Sequence, residues 1–279
     1  MTKHVQALSR RCMLVFVCGC ILCFIITPGR TQTAKLSGIA HIAFRVDDLN
    51  ASRSFYQRLG FEQAFELSKQ TKPTQAFIKI NDNQFIELYA RSTPSQQIGF
   101  MHICFESNNL TELNEEYLKR GLHPTPVKRA AAGNLLFTLQ GPEGQIIEFT
   151  QYMPGSRHVK DRGKHLGANR ISKSLMGVSL VMQNTAAAKT FYTGSLGFKA
   201  MGNGNFIHLG LPGDMRETIE LESRAQYKKP QLLFVVNNIR EITEVLHQRG
   251  FSVKSGPGAA SITDPDGTVI TLLSVPESK

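Results

Sequence analysis

Residues 39–49, IAHIAFRVDDL, and residues 100–110, FMHICFESNNL, carry the same pattern 61 positions apart. His41 falls on His102, Phe44 on Phe105 and Leu49 on Leu110. Extended without a gap, the shift lays Tyr56 on Tyr117, Gly60 on Gly121, Ile86 on Ile147 and Glu87 on Glu148. Self-similarity at a fixed offset marks a repeated structural unit, here of about sixty residues.

Each copy reads the same way. An apolar, β-branched run (Ile39 to Val46, Phe100 to Phe105) predicts a strand. A helical stretch follows and stops at Leu59-Gly60-Phe61 or Arg120-Gly121-Leu122, where glycine suits a left-handed helix stop. Three short strands complete the unit. The clearest are Gln75 to Ile80 and Gln84 to Tyr89 in the first copy, Leu135 to Leu139 and Gln145 to Tyr152 in the second, with a turn at Gly141-Pro142-Glu143-Gly144. The pattern resumes downstream. Leu175 to Met182, a helix ending at Leu196-Gly197-Phe198, and Thr218 to Leu221 form a third βαβββ module. Gln231 to Val236, a helix ending at Arg249-Gly250-Phe251, and Val269 to Leu273 form a fourth.

Four such modules resemble the vicinal oxygen chelate superfamily, which includes glyoxalase I, extradiol dioxygenases, methylmalonyl-CoA epimerase and the bleomycin resistance proteins. The resemblance covers about Leu36 to Ser274. It implies an α+β fold in which modules pair into eight-stranded cups, with metal ligands on the first and fourth strand of each module. On this chain those positions are His41, Glu87, His102 and Glu148. In the second pair they become Gly177, Glu220, Gln231 and Thr271, so that half is expected to lack a complete metal site.

Strand alternation tests these positions separately. Residues two apart share a face, so His41 points with Ile39 and Ala43, Glu87 with Phe85 and Tyr89, His102 with Phe100 and Cys104, and Glu148 with Ile146 and Thr150. These neighbours, Phe85, Tyr89, Phe100, Cys104, Ile146 and Thr150, are the expected substrate pocket. Taken singly, either histidine reads as a core residue, either glutamate as the outward residue of a half-exposed strand, and Cys104 as a small buried hydrophobe. The equal 46-residue spacing from His41 to Glu87 and from His102 to Glu148 favours one joint site. Two imidazoles and two carboxylates suit one divalent ion such as Fe, Mn, Zn, Ni or Co. His123, His158, His165, His208 and His247 read as ordinary.

The remaining features bound the setting. Lys3, Arg10 and Arg11 precede an apolar run from Cys12 to Ile26, so residues 1–34 read as a signal peptide or N-terminal membrane leader, implying an exported, periplasmic or secreted protein. The run is too short for the ~20 residues of a spanning helix. Of five cysteines only Cys104 lies beyond the leader, which excludes an intramolecular disulfide in the mature chain. The formal charge of +10 is concentrated in the leader and in residues 154–175, leaving the modules near neutral and arguing against nucleic acid as a partner. The chain therefore divides into the leader, a metal-binding domain (35–153), a basic linker read as a solvated connector (154–172), and a degenerate domain (173–279). A monomer or homodimer acting on a small molecule is expected.

For that chemistry the resemblance implies a metal-dependent enzyme, either of glyoxalase or epimerase type, with Glu87 and Glu148 as catalytic ligands, or of extradiol type, needing only His41, His102 and Glu148. The alternative is a non-catalytic binding or resistance module.

Overall fold

The apolar runs form strands, and the repeated unit becomes a repeated sheet. The computed structural model describes residues 36–202, 207–213, 216–223 and 229–274, all within one compact unit spanning 33–279. The leader expected at 1–34 lies outside the described residues. The first sheet contains β1 (Leu36–Val46), β2 (Glu62–Lys69), β3 (Lys72–Lys79), β4 (Phe85–Ala90), β5 (Gly99–Ser107), β6 (Lys128–Arg129), β7 (Leu135–Gln140) and β8 (Ile146–Gln151). Their order is β2-β3-β4-β1-β5-β8-β7-β6, with the two module-opening strands paired at the centre. A second sheet repeats this order from β9 (Leu175–Met182) to β16 (Val269–Ser274). The α+β architecture of two eight-stranded sheets is the one expected.

Helix α1 (Leu49–Arg58) starts where the Asp48 carboxylate accepts from the backbone N–H groups of Asn50 and Ala51, satisfying two orphan donors. It buries Leu49, Ser52, Phe55 and Tyr56, one stripe at helical spacing, against its sheet. Gly60 ends it at φ 86°. A Cβ there would also lie 2.3 Å from the Asn169 carbonyl oxygen, so glycine is required twice over. Helix α2 (Leu110–Lys119) repeats the arrangement with Asn109 as cap.

Pairing of β1 with β5 is antiparallel and irregular at three points, two of which flank His41. Ile39 opposes Phe105 and His41 opposes Cys104, so Ala40 is an extra residue. Ala43 opposes His102 and Phe44 opposes Phe100, so Met101 is an extra residue on the other strand. Each bulge switches the face of what lies beyond it. Ile39 consequently joins the hydrophobic core with Ile42 and Phe44, not the face of His41.

One hydrophobic core runs through both sheets. Phe61 meets Phe234 at 5.6 Å, Phe105 meets Phe198 at 5.3 Å, and Phe55 meets Phe251 at 5.4 Å between ring centroids. The side chain of Gln84 donates to the Leu175 carbonyl and accepts from its N–H, each at 2.9 Å.

The segment at 154–172 is not the solvated connector its charge predicted. It forms the short helix α3 (Arg157–Lys160), and Ser156, His158 and Asp161 are buried. The Lys79 ammonium, itself fully buried, donates to the Asp161 carboxylate at 2.8 Å and to its carbonyl at 2.6 Å. A buried charge needs such a partner, and this one clamps the segment onto β3.

Candidate metal centre

The four implied ligands converge on the first sheet. In the register Ala43 lies between Glu87 on β4 and His102 on β5, while Cys104 lies beside Glu148 on β8. His41, two residues from Ala43, projects to the same face. His41 Nε2 is 3.1 Å from His102 Nε2 and 3.5 Å from a Glu148 oxygen, and the second Glu148 oxygen is 3.9 Å from His102 Nε2. Glu87 approaches the other ring nitrogen, with Oε1 at 3.3 Å from His41 Nδ1. Its Oε2 accepts from Gln75 Nε2 at 2.7 Å and from the Tyr89 hydroxyl at 3.0 Å, so that oxygen is fixed and Oε1 is aimed into the cluster.

Burial sets the protonation. The His41 imidazole is held well below its usual range by desolvation, then by His102 and His158. Desolvation takes His102 to about 4. Glu87 is pushed up to about 8 by burial and by the Glu148 charge, against the opposing hydrogen bonds from Tyr89 and Gln75. Glu148 is pushed up to about 7 by burial, opposed by Cys104 and Lys128. The His–Glu contacts are therefore those of neutral rings beside carboxyls that resist ionising, not of ion pairs.

This donor set fits a divalent metal. Two imidazole nitrogens 3.1 Å apart present either a shared proton or two lone pairs to one point. Two ligands at ~2.1 Å from an ion stand about 3 Å apart at right angles, close to the separations here. A dication would relieve the cost of ionising two buried carboxyls and would use the neutral form of both rings. His41, Glu87 and His102 offer donor atoms within 4.8 Å of one another, as do His41, Cys104 and Glu148.

The cluster opens into a cavity of about 350 Å³. Of the expected pocket residues, Tyr89 and Thr150 line it. Phe85 lies one layer behind, packed on His158 at 4.8 Å. Cys104 is fully buried beside Glu148, whose charge and hydrogen bond add to burial in raising its thiol pKa. Phe100 is not in this cavity, because the bulge at Met101 turns it to the core with Phe44. Ile146 is 46% exposed directly after the 141–144 turn and lines a separate depression with Leu122 and His123. A larger cavity, about 530 Å³, is lined by residues of both sheets, including Phe44, Phe100 and Met182, and contains none of the four ligands.

Sequence reasoning missed His158. It lines the cavity from α3, with Phe65, Phe77 and Phe85 edge-on around it and Tyr152 stacked at 5.1 Å. No signal in the repeat could have found it, because it lies beyond the repeated unit.

In the second sheet, Ser179 opposes both Glu220 and Gln231 as Ala43 opposes Glu87 and His102, which puts Gly177, Glu220, Gln231 and Thr271 at the equivalent positions. Gln231 and Thr271 hydrogen-bond each other at 3.0 Å, and Glu220 faces His208 at 3.1 Å.

The sequence profile described as the Glyoxalase/Bleomycin resistance protein/Dioxygenase superfamily matches residues 38–149. The curated proteins contain no match by sequence. Among solved structures the chain is similar to the Mn(II)-bound glyoxalase from Novosphingobium aromaticivorans, at 17% identity and TM-score 0.65 over 86% of this chain and 83% of that one. It is similar to the 2,3-dioxygenase LapB from Pseudomonas sp. KL28, at 14% identity and TM-score 0.66 over 88% and 96%. A catechol 2,3-dioxygenase aligns at 15% identity and TM-score 0.67 over 88% and 92%. At these identities the likeness carries the fold alone. Residues 38–149, the first sheet, thus match the model of the Glyoxalase/Bleomycin resistance protein/Dioxygenase superfamily, and the same strand order is repeated downstream.

Proposed function

We propose that the first sheet is the centre of a divalent-metal-dependent enzyme of glyoxalase or dioxygenase type, acting on a small substrate chelated through two neighbouring oxygens. The observation that carries this reading is the meeting of His41 Nε2, His102 Nε2 and Glu148 within 3.1–3.9 Å at the wall of a cavity, with Glu87 alongside. His41, His102 and Glu148 would hold the ion as a two-histidine, one-carboxylate face, and Glu87 would complete the set. Bound there, the ion supplies Lewis-acid stabilisation of charge on the substrate oxygens.

The protein's own groups do the rest. Gln75 and Tyr89 fix one oxygen of Glu87, leaving Oε1 to hold or move a proton within hydrogen-bond reach. With a pKa raised to about 8, Glu87 is poised to exchange a proton near neutrality. Leu67, Phe77 and Leu136 give the cavity apolar walls, while Lys128 and Arg129 place positive charge at one side.

Metal analysis of protein purified without chelator tests the reading, combined with oxygen-uptake assays on catechols and an oxygen-independent isomerisation screen. About one equivalent of a divalent transition metal per chain, with metal-dependent turnover in either assay, is expected. No bound metal after reconstitution overturns the proposal. Tight binding without turnover would move the protein to the binding or resistance class, the reading that the incomplete ligand set of the second sheet favours. Export through the leader belongs to the same proposal and is tested by where the mature chain is found on fractionation.

A further inference from the structure

His158 is 3% exposed, lines the cavity of the metal centre, and has no hydrogen-bond partner at Nε2. Its tautomer follows from its neighbour. The Asn134 side-chain oxygen accepts from the Met153 N–H at 3.3 Å, which turns the amide nitrogen toward His158 Nδ1 at 2.9 Å. An amide N–H can only donate, so Nδ1 is the acceptor and the proton of the neutral ring sits on Nε2. Burial keeps the ring neutral, lowering its pKa to about 3. The result is an N–H donor held among the rings of Phe65, Phe77, Phe85 and Tyr152 with no hydrogen-bond acceptor in reach. A buried donor left unpaired is costly, and native structures retain one where a ligand completes it.

We propose that His158 is a substrate-binding residue, its Nε2–H donating to an oxygen acceptor of the bound molecule. This rests on the metal-centre reading and narrows its substrate to one presenting a carbonyl, carboxylate or oxyanion toward α3 while its chelating oxygens face His41, His102 and Glu148. Lys128 and Arg129 on the same cavity wall match an anionic oxygen. The residue is held from outside the site. Three positions on, Asp161 is clamped by Lys79 at 2.8 Å and meets His165 at 2.6 Å, fixing the turn that carries His158.

The test begins with metal content, which decides the metal-centre reading by itself. Independently of metal, nitrogen NMR of histidine-labelled protein reads the His158 tautomer. A proton on Nε2 is expected, and a proton on Nδ1 overturns the proposal. 3,4-Dihydroxybenzoate, whose vicinal oxygens chelate and whose carboxylate remains free to accept, is then titrated into metal-loaded protein under nitrogen. The Nε2 proton should shift downfield on binding. His158→Phe, which preserves the aromatic box, should keep its metal and weaken 3,4-dihydroxybenzoate about tenfold, while His158→Gln, whose amide can donate, should stay within about threefold of wild type. Equal affinity in wild type and His158→Phe, no binding to loaded wild type, or a Nε2 proton that does not respond would each overturn it. The last would mean that the aromatic faces already hold the donor.

Discussion

Glu87 is the residue at which the two enzymatic readings part. It approaches Nδ1 of His41, whereas His102 and Glu148 gather at Nε2, so an ion on the Nε2 side can be held without it. Glu87→Gln should therefore retain metal. An oxygen-dependent ring cleavage should then survive within about tenfold, ~1.4 kcal/mol in barrier. An oxygen-independent proton transfer should fall by about a hundredfold or more. Metal content and the two rates, measured on one preparation, decide between them. His41→Ala or His102→Ala should lose most bound metal, while Gln231→Ala should not, because its partners are Thr271 and Glu222 and both histidine positions of the second sheet are vacant of histidine. Equal loss in all three would put the site in the wrong sheet. His158 also makes a pH prediction. Its folded pKa is depressed to about 3 from an ordinary 6.5, so the unfolded chain binds more protons between those values. That contribution is fully present above about pH 6.5 and is lost as pH falls toward 3, with a slope of up to about 1.4 kcal/mol per pH unit. His158→Phe should flatten the urea-stability profile over that range, and an unchanged profile would refute the assignment.

At the scale of elements, the alternation rule was right along β4 and wrong at the centre of the sheet. Phe85, Glu87 and Tyr89 do share a face. Ile39 and Phe100 do not share one with the histidines, because bulges at Ala40 and Met101 each insert a residue. Nothing in those short apolar runs announces an extra residue, since it is selected by how two distant strands must twist to pair. The 154–172 segment gives a second instance. Its five basic residues read as a solvated connector, yet Lys79 and Asp161 form a buried clamp between β3 and the turn after α3. Lys79→Met leaves the Asp161 carboxylate buried without its cation and should cost about 3–5 kcal/mol. It should also raise amide exchange selectively at residues 157–165. Uniform exchange across the first sheet would show that the segment is not held this way.

At the scale of the whole molecule, the sheet that carries His41, Glu87, His102 and Glu148 and its partner sheet are not separate beads. Phe61 and Phe234, Phe105 and Phe198, and Phe55 and Phe251 join them in one core. Phe234→Ala, in the sheet without the ligand set, should destabilise by about 3–5 kcal/mol. It should lower the midpoint of a single unfolding transition, read equally by probes in either sheet. Two separated transitions, with only the second sheet affected, would contradict a shared core. The loss of both histidines from the second sheet then has a physical sense: its apolar face still stabilises the first.

The sequence by itself determined the repeat, the four βαβββ modules, the glycine stops and the equal spacing that pairs His41 with Glu87 and His102 with Glu148. These depend on local periodicity and on equal spacing, both of which survive in a linear string. Only the tertiary structure decided which neighbours share the cavity, that Glu87 meets one nitrogen of His41 while the other ligands meet its second, and that His158 completes the wall. Those outcomes depend on strand register, bulges and a clamp between residues 82 positions apart, and long-range pairing of that kind leaves no periodic trace in the chain.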